Sequence, residues 1–255
     1  MKKNLMLCLL LLLSACIRVS HADQFNVAVA ANFQPTLSAI LAKFERITGH
    51  RVRLSSASSG VLFAQIAKGA PFALFLSADA LRPQKLEQQH RIVTDTRHTY
   101  ALGQLAIISR QKSLTQAQLI DQMKTAKLAI ANAATAPYGI AAEQLLHCWK
   151  LDDQLDTVVR GNSIGQVLHY AATKNVDMAV ISHSQWPQLV DSGHATGWYL
   201  YDVPSRCYSP IEQQMVILNN SGHEVAAKAL YDYLLQADTQ RLIEQWGYLS
   251  PNTSP

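Results

Sequence analysis

The sequence predicts an α/β protein with two lobes, in which helices flank mostly parallel β-sheets. Short apolar runs of strand length alternate with stretches whose apolar residues recur at helical spacing, a pattern typical of parallel sheets with crossover helices. The run at residues 72–78 is apolar throughout, as expected of a strand buried on both faces. Two short polar stretches, residues 95–103 and 202–210, are predicted to be extended connectors. The segment between them would form a second lobe inserted into the first.

The individual elements follow from periodicity and from turn residues. The predicted strands are residues 25–30, 51–56, 72–78, 104–109, 127–133, 178–182 and 214–218. The predicted helices carry apolar stripes at residues 37–47, 62–66, 142–149, 164–171 and 226–234. Pro35 suits the first turn of its helix, and Gly49 ends that helix as a left-handed residue does.

Length and composition fit this architecture. The chain has 255 residues, of which 49% are hydrophobic and 16% charged, and its mean hydropathy is +0.02. Such a chain can bury a sizeable core, and it is neither disordered nor a polytopic membrane protein in composition.

The first 22 residues are predicted to be an export signal. A basic start precedes an apolar run, residues 5–13, that is too short to span a membrane. Cleavage after Ala22 would release a soluble protein and is the favoured interpretation. The stretch at residues 13–16 resembles a bacterial lipobox, which would instead leave a lipidated Cys16. Either route places the protein in the periplasm.

The net charge limits the kinds of binding partner, and the cysteine content limits the possible disulfides. The net charge of +4 falls to +1 without the signal, which carries three basic residues and no acidic one, so no nucleic-acid partner is expected. Two cysteines remain, Cys148 and Cys207. An oxidising compartment permits a disulfide between them. Because Cys148 stands where a helix needs an apolar residue, two buried free thiols are the simpler expectation.

Four junctions share one pattern of strand, short turn of small or polar residues, and helix. They lie at residues 28–37, 54–66, 131–146 and 159–168. The residues placed to cap these helices are Asn32, Ser58 or Ser59, a residue near Tyr138, and Asn162 or Ser163. Taken singly, each is an ordinary helix cap worth about 1 kcal/mol.

The joint placement of these junctions indicates anion binding. Loops after the carboxyl ends of parallel strands line the ligand crevice, and helix N-termini present free N–H donors with partial positive charge. The turns contain no lysine or arginine except Arg160, at the edge of its turn. Neutral donors without an acceptor favour a fully deprotonated dianion such as sulfate, molybdate or tungstate. Hydrogen phosphate would be left with an unpaired O–H.

The same segments carry a family resemblance. The most specific ones are residues 57–79, 131–146, 158–168 and 207–218. Through them the chain resembles the periplasmic molybdate-binding proteins of ABC importers, over essentially the whole predicted mature chain. The resemblance implies a monomeric type II receptor that binds molybdate and tungstate and delivers them to an inner-membrane permease, with no cofactor and no enzymatic activity. It also implies one lobe at residues 23–100 plus 208–255 and another at 101–207.

The resemblance implies specific ligand-binding residues. Asn32 and Ser59 match residues of the first lobe that contact the oxyanion, Ser59 with both its hydroxyl and its backbone N–H. Tyr138 and Ile164 match positions that donate backbone N–H groups. Ser182 stands where some members have a tyrosine hydroxyl, and its shorter side chain makes it a secondary candidate. The molybdate oxyanion is the only metal-containing group expected, through these same residues.

Other functions stay open. The protein could be a receptor for sulfate or another tetrahedral oxyanion, or an anion sensor that signals through a partner. A secreted α/β hydrolase acting on an anionic substrate is a further alternative, although no nucleophile with a credible base is evident. Asp79 follows a buried strand and is predicted to cap the next helix. The nine histidines show no metal-binding spacing.

Overall fold

The computed structural model describes residues 23–219 and 221–251. The predicted signal, its cleavage site and the lipobox cysteine lie outside these residues. Within them the chain forms two five-stranded sheets, each surrounded by helices and packed on buried apolar clusters. No helix of this described part is long and apolar enough to cross a membrane.

Strands and helices alternate along the chain. The first half contains β1 (Gln24–Ala30), α1 (Gln34–Thr48), β2 (Arg51–Ala57), α2 (Ser59–Ala67), β3 (Leu74–Leu76), α3 (Leu81–Gln88), β4 (His98–Gly103), β5 (Leu105–Ser109), α4 (Gln116–Thr125) and β6 (Lys127–Ala131). The second half contains α5 (Pro137–Cys148), β7 (Thr157–Gly161), α6 (Ile164–Ala172), β8 (Met178–Ser182), α7 (Gln185–Asp191), β9 (Tyr199–Asp202), a 3-10 turn (Ser205–Cys207), β10 (Ile211–Ile217), α8 (Glu224–Leu234) and α9 (Ala237–Gln245).

The two sheets have the same design. The first has the strand order β2-β1-β3-β10-β4, and the second has the order β7-β6-β8-β5-β9. In each sheet a single strand, β10 or β5, runs antiparallel to its neighbours, and the other described strands share one direction. The predicted mostly parallel α/β architecture is confirmed.

The element prediction was wrong for the stretch at residues 95–103. It was expected to be a connector, but it contains β4, which pairs with β10 through Ala101 and Gln213. Tyr100 and Ala101 are fully buried there. The polar residues at the ends of this stretch obscure the strand pattern in the sequence. The strand forms because the remote strand β10 supplies its hydrogen-bond partners. The predicted strand at residues 72–78 is real but shorter, and the strand β9 and the helices α4, α7 and α9 were not predicted.

The chain crosses between the sheets twice. Gln104 separates β4 of the first sheet from β5 of the second, and residues 203–210 lead from β9 back to β10. The crossings lie close to the predicted connectors. The exact lobe limits given above stay a prediction.

A disulfide ties the second crossing to a helix. Cys148 ends α5, Cys207 ends the 3-10 turn, and the two are bonded with their Cα atoms 5.4 Å apart. The expectation of two free thiols was therefore wrong. The sequence could not reveal the pairing, because 59 residues separate the two cysteines and only the packing of α5 against the crossing brings them together.

Candidate oxyanion-binding site

Strand register places four helix starts at the carboxyl edges of the two sheets. Ala30 of β1 pairs with Ala57 of β2, and Ala131 of β6 pairs with Gly161 of β7. The helices α1, α2, α5 and α6 begin within six residues after these strand ends. Each lobe therefore contributes two helix N-termini, as the sequence predicts.

Contacts between the lobes bring these helix starts together. The N–H of Gly60 in α2 donates to the carbonyl of Thr135, in the turn before α5, at 2.9 Å. Gly165 in α6 faces the turn before α1, since a Cβ atom added at this glycine would lie 3.4 Å from Cβ of Ala31. One helix start from each lobe thus meets a turn of the other lobe, in a closed arrangement.

Most of the predicted caps do not act as caps. Only Ser163 does, by accepting a hydrogen bond from a backbone N–H of α6 at 3.2 Å. The N-cap residues of α1 and α5 are Phe33 and Ala136, and Ser58 at the start of α2 makes no capping bond. Capping therefore does not account for the polar residues at these turns.

The helix starts present backbone donors instead. The N–H groups of Asn32, Ser59, Tyr138 and Ile164 donate to no acceptor within the described part of the chain. These four residues are no more than 4% exposed. Buried N–H groups are normally paired, and leaving one unpaired costs free energy. A set of such donors on facing helix starts is suited to an anion.

Two serine hydroxyls add to this set. The Oγ atom of Ser59 accepts from the N–H of Ala78 at 2.8 Å, which leaves its own proton free to donate. The Oγ atom of Ser58 is buried, and it has no partner among the residues that the structure describes. Ser58, to which the sequence interpretation gave at most a capping role, therefore offers a second free hydroxyl.

The hydroxyl of Ser182 is engaged by other side chains of the protein. It is fully buried, and its Oγ donates to the hydroxyl of Tyr138 at 2.9 Å and lies 2.7 Å from Oγ of Ser184. These bonds make Ser182 a support for the Tyr138 side chain. A direct contact between Ser182 and the ligand stays a prediction.

The nearby cations are already paired. Arg160 bonds to Glu143 at 3.0 Å on the surface. Arg82 of α3 lies against Gly60 and forms an ion pair with Asp79, whose carboxylate also accepts the backbone N–H of Arg82 at 3.0 Å. The N-cap residue of α3 is Ala80 and not the predicted Asp79, although the Asp79 carboxylate does accept an N–H of the first helical turn. The proximity of Arg82 was not foreseen, because only the packing of α3 on α2 creates it.

Metal ligation by side chains finds no support in this region. Across residues 23–219 and 221–251, no group of three or more histidine, cysteine or acidic residues is arranged to hold a metal ion. The available chemistry is a set of neutral hydrogen-bond donors, which suits a bound anion.

Comparison with known proteins identifies the family. A family model described as bacterial extracellular solute-binding protein matches residues 25–249.

The chain belongs to this family of solute-binding proteins.

Curated relatives and a solved structure extend the comparison. The chain is 38% identical to the molybdate-binding protein ModA of Azotobacter vinelandii, over 92% of this chain and 93% of that protein. It is 33% identical to ModA of Rhodobacter capsulatus, over 90% of this chain and 89% of that protein. The solved periplasmic molybdate-binding protein of A. vinelandii superposes with a TM-score of 0.81 at 32% identity, covering 89% of this chain and 99% of that one. The predicted resemblance and the two-lobed fold are confirmed.

This solute-binding protein also contains a buried polar group that sequence reasoning missed. It consists of Tyr100, Gln213 and Tyr248, together with the predicted residues Asn32 and Tyr138. Burial raises the pKa of all three tyrosines, so their hydroxyls stay protonated. The one available signal was Gln213, a polar residue within β10, close to the apolar residues at the end of that strand.

Proposed function

We propose that this protein captures molybdate, and tungstate with it, in the periplasm and delivers it to an ABC permease. The observation that carries the proposal is that helix starts and turns face each other across the lobe contact and carry buried backbone N–H donors, on Asn32, Ser59, Tyr138 and Ile164. The two ModA relatives and the superposed structure, all named as molybdate-binding proteins, support the choice of anion.

The donor set explains selectivity by charge state. Molybdate and tungstate are fully deprotonated at neutral pH, so every oxygen can accept a hydrogen bond. Hydrogen phosphate carries a proton that would face only donors, at the cost of an unsatisfied buried group. Sulfate has the same charge state as molybdate, so the size of the closed cavity must separate these two anions.

Binding is coupled to closure in this proposal. Asn32 and Ser59 lie in the lobe of the first sheet, and Tyr138 and Ile164 lie in that of the second. Only the closed state brings both halves of the donor set onto one anion, so the ligand stabilises that state. We infer a monomeric carrier that needs no cofactor and performs no catalysis, with lobes at residues 23–100 plus 208–255 and at 101–207.

A thermal-shift measurement tests the function. The mature protein is heated with molybdate, tungstate, sulfate or phosphate at equal concentration. A ligand at 1,000 times its Kd stabilises the folded state by about 4 kcal/mol. For a chain of this size that raises Tm by roughly 8–16 °C. We expect such shifts with molybdate and tungstate and little change with the other two anions. No shift with molybdate would refute the proposal, and a larger shift with sulfate would favour a sulfate receptor.

Replacing Ser59 with alanine tests the site. The variant loses a hydroxyl donor to a charged ligand, so molybdate binding is expected to weaken by about 1–3 kcal/mol, measured as Kd by calorimetry. Ser59 also accepts the N–H of Ala78, so the unfolding free energy is measured separately. The Ser56→Ala variant is the matched control, because Ser56 is an exposed serine of the same stretch. An unchanged Kd in the Ser59 variant removes this serine from the site.

A further inference from the structure

One buried side chain connects the proposed ligand residues of the two lobes. Gln213 of β10 is fully buried, and its Oε1 accepts from Nδ2 of Asn32 at 2.9 Å and from the hydroxyl of Tyr100 at 3.1 Å. Its Nε2 donates to the hydroxyl of Tyr138 at 3.2 Å. Asn32 precedes α1 in the first lobe, whereas Tyr138 lies in the first turn of α5 in the second.

The neighbours of Gln213 determine the orientation of its amide. Nδ2 of Asn32 can only donate, so it must face the Gln213 oxygen. The Tyr100 hydroxyl shares its single proton between this oxygen and the Ser77 carbonyl, at 3.1 and 3.2 Å. The Gln213 nitrogen then points to Tyr138. Asn32 is also held from its other side, since Nδ2 donates to the Tyr248 hydroxyl at 3.1 Å and that hydroxyl donates to the Asn32 carbonyl at 2.9 Å. The position of Asn32 therefore depends on these two partners.

Tyr138 and Gln213 meet where the chain first crosses between the lobes. A Cβ atom added at Gly103, the last residue of β4, would overlap the Tyr138 hydroxyl and lie 2.8 Å from Nε2 of Gln213. Glycine at this position leaves the space in which the two side chains bond. Movement of one lobe against the other must alter this contact.

Regular strand geometry gives Gln213 its direction. Consecutive side chains of a strand point to opposite faces of the sheet, and both Gln213 and Gln214 are at least 93% buried. The register with β4 shifts between the two glutamines, but the extra residue of this bulge lies on β4, so the alternation along β10 is kept. One glutamine therefore faces Tyr138, and the side chain of the other hydrogen-bonds to Arg97 and Thr99 of the first lobe.

We propose that Gln213 is a positioning residue for oxyanion capture, one that fastens the closed lobes by joining Asn32 to Tyr138. It does not touch the anion in this proposal. Its bond to Tyr138 contributes to the free energy of closure, and its bond to Asn32 orients the start of α1. Loss of the Gln213 side chain therefore weakens molybdate binding mainly by accelerating release of the anion, because the closed state opens more often. This inference rests on the proposed function.

The test is a double-mutant cycle measured on binding. Gln213→Met removes all three hydrogen bonds at similar volume, and Tyr138→Phe removes one hydroxyl while keeping the backbone N–H. With molybdate as the probe, we expect roughly a tenfold rise in Kd for Gln213→Met, carried by a faster dissociation rate. Tyr138→Phe should raise Kd several-fold. The double variant should bind about as well as Gln213→Met alone, because both changes remove the same contact.

The matched control is Gln214→Met, which loses bonds inside the first lobe only. It should lower the unfolding free energy and leave the Kd for molybdate unchanged. A Gln213→Met variant that is destabilised but binds as tightly as the unaltered protein overturns the inference, and so do fully additive effects on Kd. If Gln213→Met does not fold, an unchanged Kd for molybdate in the Tyr138→Phe variant also overturns the inference. Failure of the unaltered protein to bind molybdate contradicts the proposed function instead, and the inference with it.

Discussion

Replacing Gly60 with alanine is expected to weaken molybdate binding by about 5- to 150-fold, the range for overpacking by 1–3 kcal/mol. The added Cβ would lie 2.8 Å from the carbonyl oxygen of Thr135 and 3.0 Å from its Cα. Both atoms are backbone of the opposite lobe, so neither can move aside without shifting the turn before α5. The added methyl group therefore hinders closure of the two lobes. Calorimetric titration with molybdate measures the effect.

The ligand-free protein should respond in the opposite direction. Gly60 is the second residue of α2 and does not have a positive φ, so alanine fits the helix and is a better helix former by up to about 1 kcal/mol. The unfolding free energy without ligand should stay equal or rise. Gly165→Ala is the matched comparison, because its Cβ would make only ordinary contact, at 3.4 Å from Ala31, and a much smaller loss of affinity is expected. Equal affinities in all three proteins would show that the lobes do not close as described.

Removing the disulfide is expected to give the largest loss of stability. Changing both Cys148 and Cys207 to serine should lower the unfolding free energy by about 2–4 kcal/mol, because the bridge restricts the unfolded chain across 59 residues. For a chain of this size the corresponding fall in Tm is roughly 4–16 °C, measurable by calorimetry. The bridge connects α5 to the crossing before β10, so the second lobe should unfold more readily.

Reductant provides the control for this prediction. The unaltered protein heated with a strong thiol reductant should show the low Tm of the double variant, whereas the double variant should be insensitive to reductant. A Tm that is the same with and without the bridge would mean that the two thiols are not joined in the folded protein.

Local sequence was sufficient for the architecture. Gly49 has the left-handed φ of 77° expected at a helix end, and the apolar run at residues 72–78 contains a strand buried on both faces. These features depend on residues within one or two turns of each other. The same holds for the four strand–turn–helix junctions, whose small and polar residues are visible in the sequence. The sequence was therefore sufficient to predict that the candidate site consists of neutral hydrogen-bond donors.

The partners of those residues were not predictable from local sequence. Asn32 was expected to cap a helix or to contact the ligand, and its side-chain amide finds an acceptor in Gln213, 181 residues along the chain. β4 was mistaken for a connector because its partner strand lies more than a hundred residues away.

By itself, the sequence determined the α/β class, the two-lobed division and the neutral donors at four helix starts, because short-range spacing encodes strands, helices and turns. Only the tertiary structure decided that Cys148 bonds to Cys207, that Gly60 touches Thr135 of the other lobe, and that Gln213 joins Asn32 to Tyr138. Each of these contacts joins segments far apart in the chain. Such contacts depend on how whole elements pack, and packing has no periodicity that a single sequence displays.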